Sequence, residues 1–322
     1  MREVNDRPFV RYLVLLALLL HCVSGCAGHS PVDDTGPAPE TAHPLVEKIW
    51  ASGKAAFVDP GQLNAALARA DYLLLGEVHD NVHHHELQAQ LVARFAGPPQ
   101  SVAVGFEQLD RSQAPALERY LSEHPGDADG LGAAVDWSGS GWPDWSLYEP
   151  VFQQVLDKGW QPVPLMFAGE QSRRILEQGY SAVLDEGALA LLQPENALSD
   201  SQKSEVETLM RYSHCGKLPE EYLARMVTIQ TAKDAYMAWA QVESGPRGIL
   251  IVGDGHARKD RGIPLFLRTL KPEADIVVVS MVEVEPGAAS PVDYPQVQPS
   301  YSDYVIFTER QQRDDPCAAL AF

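Results

Sequence analysis

Positive charge is scarce in this 322-residue chain: 25 lysines and arginines stand against 44 acids, a formal charge of −19. That deficit argues against nucleic acid and against anionic lipid head groups as partners. Long apolar runs are missing too. Residues 12–20 form an apolar stretch that falls well short of the ~20 residues a spanning helix needs. There is no Gly-x-Ser-x-Gly elbow and no His-Glu-x-x-His helix, which removes two common hydrolase layouts. No internal repeat is present, so repeat architectures are excluded. Cysteine is limited to Cys22, Cys26, Cys215 and Cys317, too few for a disulfide-built scaffold.

The N-terminus carries Arg2, Arg7 and Arg11, then the short apolar run, then Val23-Ser24-Gly25-Cys26. A charged start, an apolar stretch and small residues before a cysteine read as a bacterial lipoprotein signal, residues 1–25, with lipid on the thiol and amine of Cys26. The chain is then expected to be lipid-anchored in the cell envelope. Ala27, in place of a retention-type aspartate, favours the outer membrane. Residues 26–43, with Pro31, Pro37, Pro39, Asp33 and Asp34, cannot bury apolar surface and read as a disordered tether. Residues 44–322 are long enough for one large domain. Cys215 and Cys317 are what remains for an oxidising compartment, and two is the number that makes one bridge; two buried free thiols are the alternative.

Three glycine-ended apolar segments concentrate the reactive groups. Leu73-Leu74-Leu75-Gly76 leads to Glu77, Val78, His79 and Asp80; Val102-Ala103-Val104-Gly105-Phe106 leads to Glu107; Ile249-Leu250-Ile251-Val252-Gly253 leads to Asp254 and His256. Each suits a strand buried on both faces of a parallel sheet, with its acid or imidazole in the loop beyond. Asn81 or Asp80 can cap a helix over residues 82–95, whose apolar face runs through Leu87, Leu91, Val92 and Phe95. If the three strands are neighbours, Glu77, His79, Glu107 and His256 converge. Two imidazoles and two carboxylates make a candidate ligand set for a divalent metal, and equally the acid–base group of a metal-dependent hydrolase acting on esters or peptides. Polar loop residues that merely cap helices are the bland reading of each position.

Between the second and third of these segments the pattern is mainly helical, with an insertion over about residues 171–242. Trp137, Trp142, Trp145, Tyr148 and Phe152 read first as core and second as the wall of a pocket for a flat apolar ligand. The long helix from Pro219 to about Val242 carries Lys233 and Asp234, which read first as a solvated edge and second as buried and functional. Strands alternating with helices predict an α/β fold: a mostly parallel sheet flanked by helices, with a smaller helical subdomain.

Gly76-Glu77-Val78-His79-Asp80-Asn81, Glu107-Gln108-Leu109-Asp110-Arg111, Ser138-Gly139-Ser140-Gly141-Trp142, His214-Cys215-Gly216, Gln230-Thr231-Ala232-Lys233-Asp234-Ala235-Tyr236-Met237-Ala238 and Gly253-Asp254-Gly255-His256-Ala257-Arg258 resemble the ChaN family of haem-binding lipoproteins, from about Leu45 to Cys317. That family is similar to TIKI-type metalloproteases and erythromycin esterases, which share the glutamate-and-histidine loops. The resemblance implies haem as the ligand in iron uptake, a tyrosine or histidine near the iron, and pairing of two subunits around haem; a haem receptor is a further candidate partner. Haem needs an apolar slot and an axial phenolate or imidazole, for which Tyr148, Tyr212, His214 and His84, in the His83–His85 run, are the candidates, with a solvated first helical turn the bland reading of that run. The resemblance favours a haem-binding protein over an enzyme.

Overall fold

The structure is a computed structural model that describes residues 43–167, 169–193, 196–314 and 317. The expected leader, Cys26 and the tether up to residue 42 lie outside the described residues. The chain opens with a pair of short strands, β1 (Ile49–Ala51) and β2 (Ala56–Val58), and helix α1 (Pro60–Arg69), before reaching β3 (Tyr72–Glu77). Helix α2 (Val82–Arg94) follows, and Asn81 caps it by accepting from the N–H groups of His83 and His84. After β4 (Val102–Asp110) come α3 (Ala114–Glu123), α4 (Leu131–Ala134), α5 (Trp145–Asp157) and β5 (Gln161–Met166). Four helices then run in succession: α6 (Gly169–Gln178), α7 (Glu186–Ala190), α8 (Asp200–Ser213) and α9 (Glu220–Ser244). The chain closes with β6 (Arg247–Gly253), α10 (Asp254–Ala257), α11 (Ile263–Leu270), β7 (Ile276–Glu283) and β8 (Tyr304–Thr308).

The eight strands form one sheet in the order β2-β1-β8-β7-β3-β6-β4-β5. It is parallel from β8 to β5, and β1 joins β8 and β2 antiparallel at one edge. β6 lies between β3 and β4, so the three glycine-ended segments are adjacent parallel strands, with Glu77 opposite Gly253. Alternation sorts their side chains onto two faces. Leu73, Leu75, Ile249 and Ile251 meet α1, α2 and α5, while Leu74, Leu250 and Val252 meet α9 and α11. Both faces are therefore dry, which is why these strands are apolar throughout.

The strands run further than their glycines suggest. Glu77 is the last residue of β3, and Glu107 lies inside β4, both buried; neither carboxylate is in a loop. Both extensions are held by the ladder, β3 against β6 through residue 77 and β4 against β5 through Asp110. Ala232, Ala235, Met237 and Ala238 in the second half of α9 pack on the sheet, and the described residues belong to one compact unit. Among the described residues no helix is long and apolar enough to cross a membrane.

Candidate functional site

The carboxyl ends of β3, β6 and β4 bring Glu77, His79, Glu107 and His256 to one place, the crevice end of a parallel sheet. Gly253 makes the approach possible: a methyl group there would lie 2.8 Å from His79 Cε1 and 3.5 Å from Glu107 Oε2. Glu77, 2% exposed, is the most heavily bonded carboxylate in the group. Its Oε1 accepts from Tyr148 OH at 2.7 Å and from Gln108 Nε2 at 2.9 Å, with His79 Nδ1 at 2.8 Å. Its Oε2 accepts from Gln88 Nε2 and has His85 Nδ1 at 3.4 Å. Burial alone would raise the Glu77 pKa, but the bond to His79 and the others around it hold it below the carboxylate range.

The second half of the site is a chain of three charges. His256 Nδ1 meets Asp234 Oδ1 at 2.5 Å, and its Nε2 stands 3.4 Å from Glu107 Oε1 with the Gln230 amide at 2.8 Å. Glu107 Oε2 accepts the Gly253 N–H at 2.7 Å. Burial opposes a charge on His256, yet Glu107 and Asp234 outweigh it and lift its pKa to about 10. Burial likewise pushes Glu107 up, and His256 with its neighbours overcomes this to hold the carboxyl at about 2. Asp234 itself is raised by burial in spite of His256. His79 is held above the usual imidazole range: burial opposes this, and the Glu77 bond and the Glu107 charge prevail.

These shifts fix a pH dependence. The His256 contribution to stability is complete below the unfolded imidazole pKa of about 6.5 and is lost as pH rises through about 10. The Glu107 contribution is complete above the unfolded carboxyl pKa and is lost as pH falls through about 2. The denaturation midpoint is therefore expected to decline from pH 6.5 towards 10 in the native chain, and His256→Asn should flatten that decline. An equal slope in both proteins would show that His256 carries none of it.

Only part of the cluster meets solvent. The His79 side chain is 38% exposed and packs edge-on against Trp142, ring centroids 4.8 Å apart. Beside it a cavity of about 470 Å³ is lined by Glu107, Gln108, Asp136, Trp142, Phe167 and Lys233 among others. The remaining aromatic residues are core: Trp137 packs on Trp145 and Tyr148, and Phe152 stacks on Phe106.

The four candidate haem residues separate into three settings. Tyr148 is fully buried and its hydroxyl is bonded to Glu77; burial and the Glu77 charge push its phenol far above the ordinary range, so it offers no phenolate. His84 is buried with both nitrogens in use, Nδ1 accepting from Val78 N–H and Nε2 against Thr308 Oγ1, and burial lowers its pKa to about 4. It locks the β3–α2 turn to β8 and is closed to iron. Tyr212 and His214 lie together at the carboxyl end of α8. Tyr212 is 85% exposed with its hydroxyl unbonded to any described residue, and His214 Nδ1 donates to the Met210 carbonyl. Beyond His214, Cys215 is disulfide-bonded to Cys317, Cα to Cα 5.6 Å.

Two residues read from sequence as solvated are interior. Asp234 is buried against His256, and His85 is buried with Nε2 donating to the His79 carbonyl. Gln88 and Gln108, which complete the Glu77 cage, are not among the sequence candidates; their signal is a glutamine on the apolar face of α2, at i+3 from His85, and one directly after Glu107. Among the described residues no group of three or more His, Cys, Asp and Glu side chains is placed to hold a metal ion. The physical reason is that the donors face one another, His79 towards Glu77 and His256 towards Asp234 and Glu107, and saturate their own lone pairs.

Comparison with known proteins places this architecture. A family model described as haem-binding uptake, Tiki superfamily, ChaN matches residues 63–267, well over half of the chain. Among solved structures, ChaN of Campylobacter jejuni, described for cofacial heme binding, is similar over 80% of this chain and 95% of its own, with 24% identity and a TM-score of 0.64. The type III effector HopBA1 aligns over 77% of this chain and 92% of its own (14% identity, TM-score 0.39), and an erythromycin esterase mutant in its open conformation over 80% and 95% (12% identity, TM-score 0.39). No curated relative matches by sequence. With a family model covering both ends of the glutamate–histidine site and the α8 face between them, the chain belongs to the ChaN family of haem-binding uptake proteins within the Tiki superfamily.

Proposed function

We propose that this chain is an envelope lipoprotein that binds haem as cargo for uptake, on the face built by the end of α8, with Tyr212 supplying the axial phenolate. The observation that carries this reading is Tyr212 itself: a phenol 85% exposed, bonded to no described residue, on a helix end tied to the rest of the fold. An open phenol can lie against one face of a porphyrin and ligate its iron, and His214 two residues on is the nearest imidazole on that helix end. A site this open covers one haem face only. The cofacial haem binding described for the Campylobacter jejuni protein suggests how the other is covered, by a second haem and a second copy of this chain.

The anchor belongs to the same reading, because a carrier of haem at the cell surface has to be held there and the acidic chain offers anionic lipid no attraction. Cys26→Ser is expected to move the protein from the membrane fraction to the soluble one. That soluble form, titrated with ferric haem, should give a saturable absorbance change. Unchanged fractionation would remove the anchor; a spectrum that stays that of free haem would remove the cargo.

A second reading is favoured by one observation, the half-exposed His79 beside the 470 Å³ cavity. Glu77 accepts the Nδ1–H of His79 and favours the protonated ring, which leaves Nε2–H as the side able to donate a proton to the carbonyl oxygen of a substrate held against Trp142. That is the start of an ester or peptide hydrolysis. It predicts cleavage that is lost in His79→Ala and His256→Ala while haem titration stays as in the native chain.

A further inference from the structure

The disulfide lies at the helix end that bears Tyr212, and the tail it captures is pinned elsewhere to the glutamate–histidine site. α8 closes through Cys215 and Gly216, both in the left-handed region with φ of 57° and 68°. For Cys215 that is a conformation side chains rarely adopt, and a bond from its side chain to another part of the chain limits the alternatives open to it. The backbone of the turn closes through His214 N–H to the Met210 carbonyl at 3.1 Å, Cys215 N–H to that of Tyr212 at 3.0 Å, Gly216 N–H to that of Arg211 at 2.8 Å and Lys217 N–H to that of His214 at 3.0 Å. The Cys215–Cys317 bond spans 102 residues of chain, and Lys217 Nζ donates to the Cys317 carbonyl at 3.1 Å.

Upstream of Cys317 the same tail is clamped to the loop that follows His79. Arg313 donates to both oxygens of Asp80 at 2.6 Å and to both of Glu283 at 2.7 and 2.8 Å. Asn81, the cap of α2, donates to Glu283 and to the Glu309 carbonyl, and Gln311 N–H donates to Glu283. Four residues from Arg313 to Cys317 span at most about 14 Å. The Tyr212 turn and the His79–Asp80 loop therefore share one short tether. Further back along α8 the contacts are ordinary packing and surface pairs: Leu209 lies against Gly255, and Glu205 pairs with Arg258 and Arg261. In the last turn itself Arg211 pairs with Glu220 at the start of α9, and the disulfide ties the residues just beyond it to the tail.

We propose that the Cys215–Cys317 bond, with Arg313 behind it, is a positioning element of the Tyr212 face: it holds the end of α8 in the conformation that presents Tyr212. The residues act through Tyr212 and do not touch the ligand. Its consequence for affinity rests on the haem reading; its consequence for the turn does not. A bidentate arginine held by two carboxylates is a rigid anchor, and a bond from a rigid anchor to a strained turn removes the alternatives that turn would otherwise visit.

The test uses the full-length chain and two variants, Cys317→Ser, which opens the bond, and Arg313→Gln, which leaves it closed and frees the anchor. Amide hydrogen exchange is read first on ligand-free protein, well below every thermal transition. Residues 210–217 are expected to exchange on the order of tenfold faster in Cys317→Ser, and by a smaller factor in Arg313→Gln. Ferric haem titration of the same samples should show affinity lower by about tenfold in Cys317→Ser, with a weakened phenolate signature. Unchanged exchange at 210–217 overturns the proposal, even if the melting temperature falls, because that is the mark of a crosslink that only stabilises. Faster exchange with unchanged haem affinity overturns the link to the ligand. Should the native chain bind no haem, the haem reading falls and the exchange result still decides the positioning role.

Discussion

Tyr212→Phe is expected to weaken ferric haem binding by at least about tenfold and to remove the phenolate signature from its spectrum, whereas Glu77→Gln leaves both nearly as in the native chain. The contrast follows from where the two residues sit. Tyr212 is on an open helix end with an unbonded hydroxyl, so losing one oxygen takes the iron's ligand and leaves the ring to stack and the fold intact. Glu77 is sealed under Tyr148, Gln88 and Gln108, out of reach of any ligand on α8. An absorbance titration of the three proteins decides it. Equal affinities and spectra for native and Tyr212→Phe would move the iron ligand elsewhere, His214 first.

Glu77→Ala is expected to lower folding stability by about 3–5 kcal/mol, the largest effect of any single change at the site. The carboxylate is the acceptor around which the hydroxyl of Tyr148 and the amides of Gln88 and Gln108 are arranged, with two imidazoles beside it. Removing it leaves those buried donors without their acceptor. Glu77→Gln keeps the volume and one acceptor and should cost about 1–3 kcal/mol. Denaturant midpoints measure both. A loss below about 1 kcal/mol for Glu77→Ala would mean that the cage is not what holds the crevice end of the sheet together.

Much of this arrangement can be read from residue order alone, for a physical reason. A strand that is apolar on both faces has to be central, and a glycine near its end lets a neighbouring loop come close; three such strands predict one crossing point, and β3, β6 and β4 are neighbours. What the pattern does not carry is where each strand stops. Glu77 and Glu107 continue the ladder because buried partners satisfy them, and those partners come from other elements, α2, α5 and β6. Asp234 and His85 illustrate the same limit. Each lies at the spacing of its helix's buried face, yet an ionisable side chain there reads as solvated until a charge or carbonyl from another element meets it. The antiparallel edge of β1 and β2 leaves little trace either, since strands of three residues have too few positions to show a period.

The candidate haem residues divide along the same line. Tyr148 sits in an aromatic run that reads equally as pocket or core, and only the contact with Glu77 shows that its phenol is spent. His84 lies in a triple-histidine run that resembles a ligand group, and its bonds to Val78 and Thr308 show a structural post. Tyr212 has no distinguishing neighbours in sequence beyond the His214-Cys215-Gly216 turn. Its significance comes from exposure, which depends on how α8 packs and on the bond from Cys215 to the tail.

Resonance Raman spectroscopy of the ferric haem complex of the native chain is the most direct test of haem held by Tyr212. Tyrosinate-to-iron modes that disappear in Tyr212→Phe and persist in Tyr148→Phe are the predicted result. Histidine-only ligation, tyrosinate modes that survive in Tyr212→Phe, or a spectrum indistinguishable from free haem would contradict it.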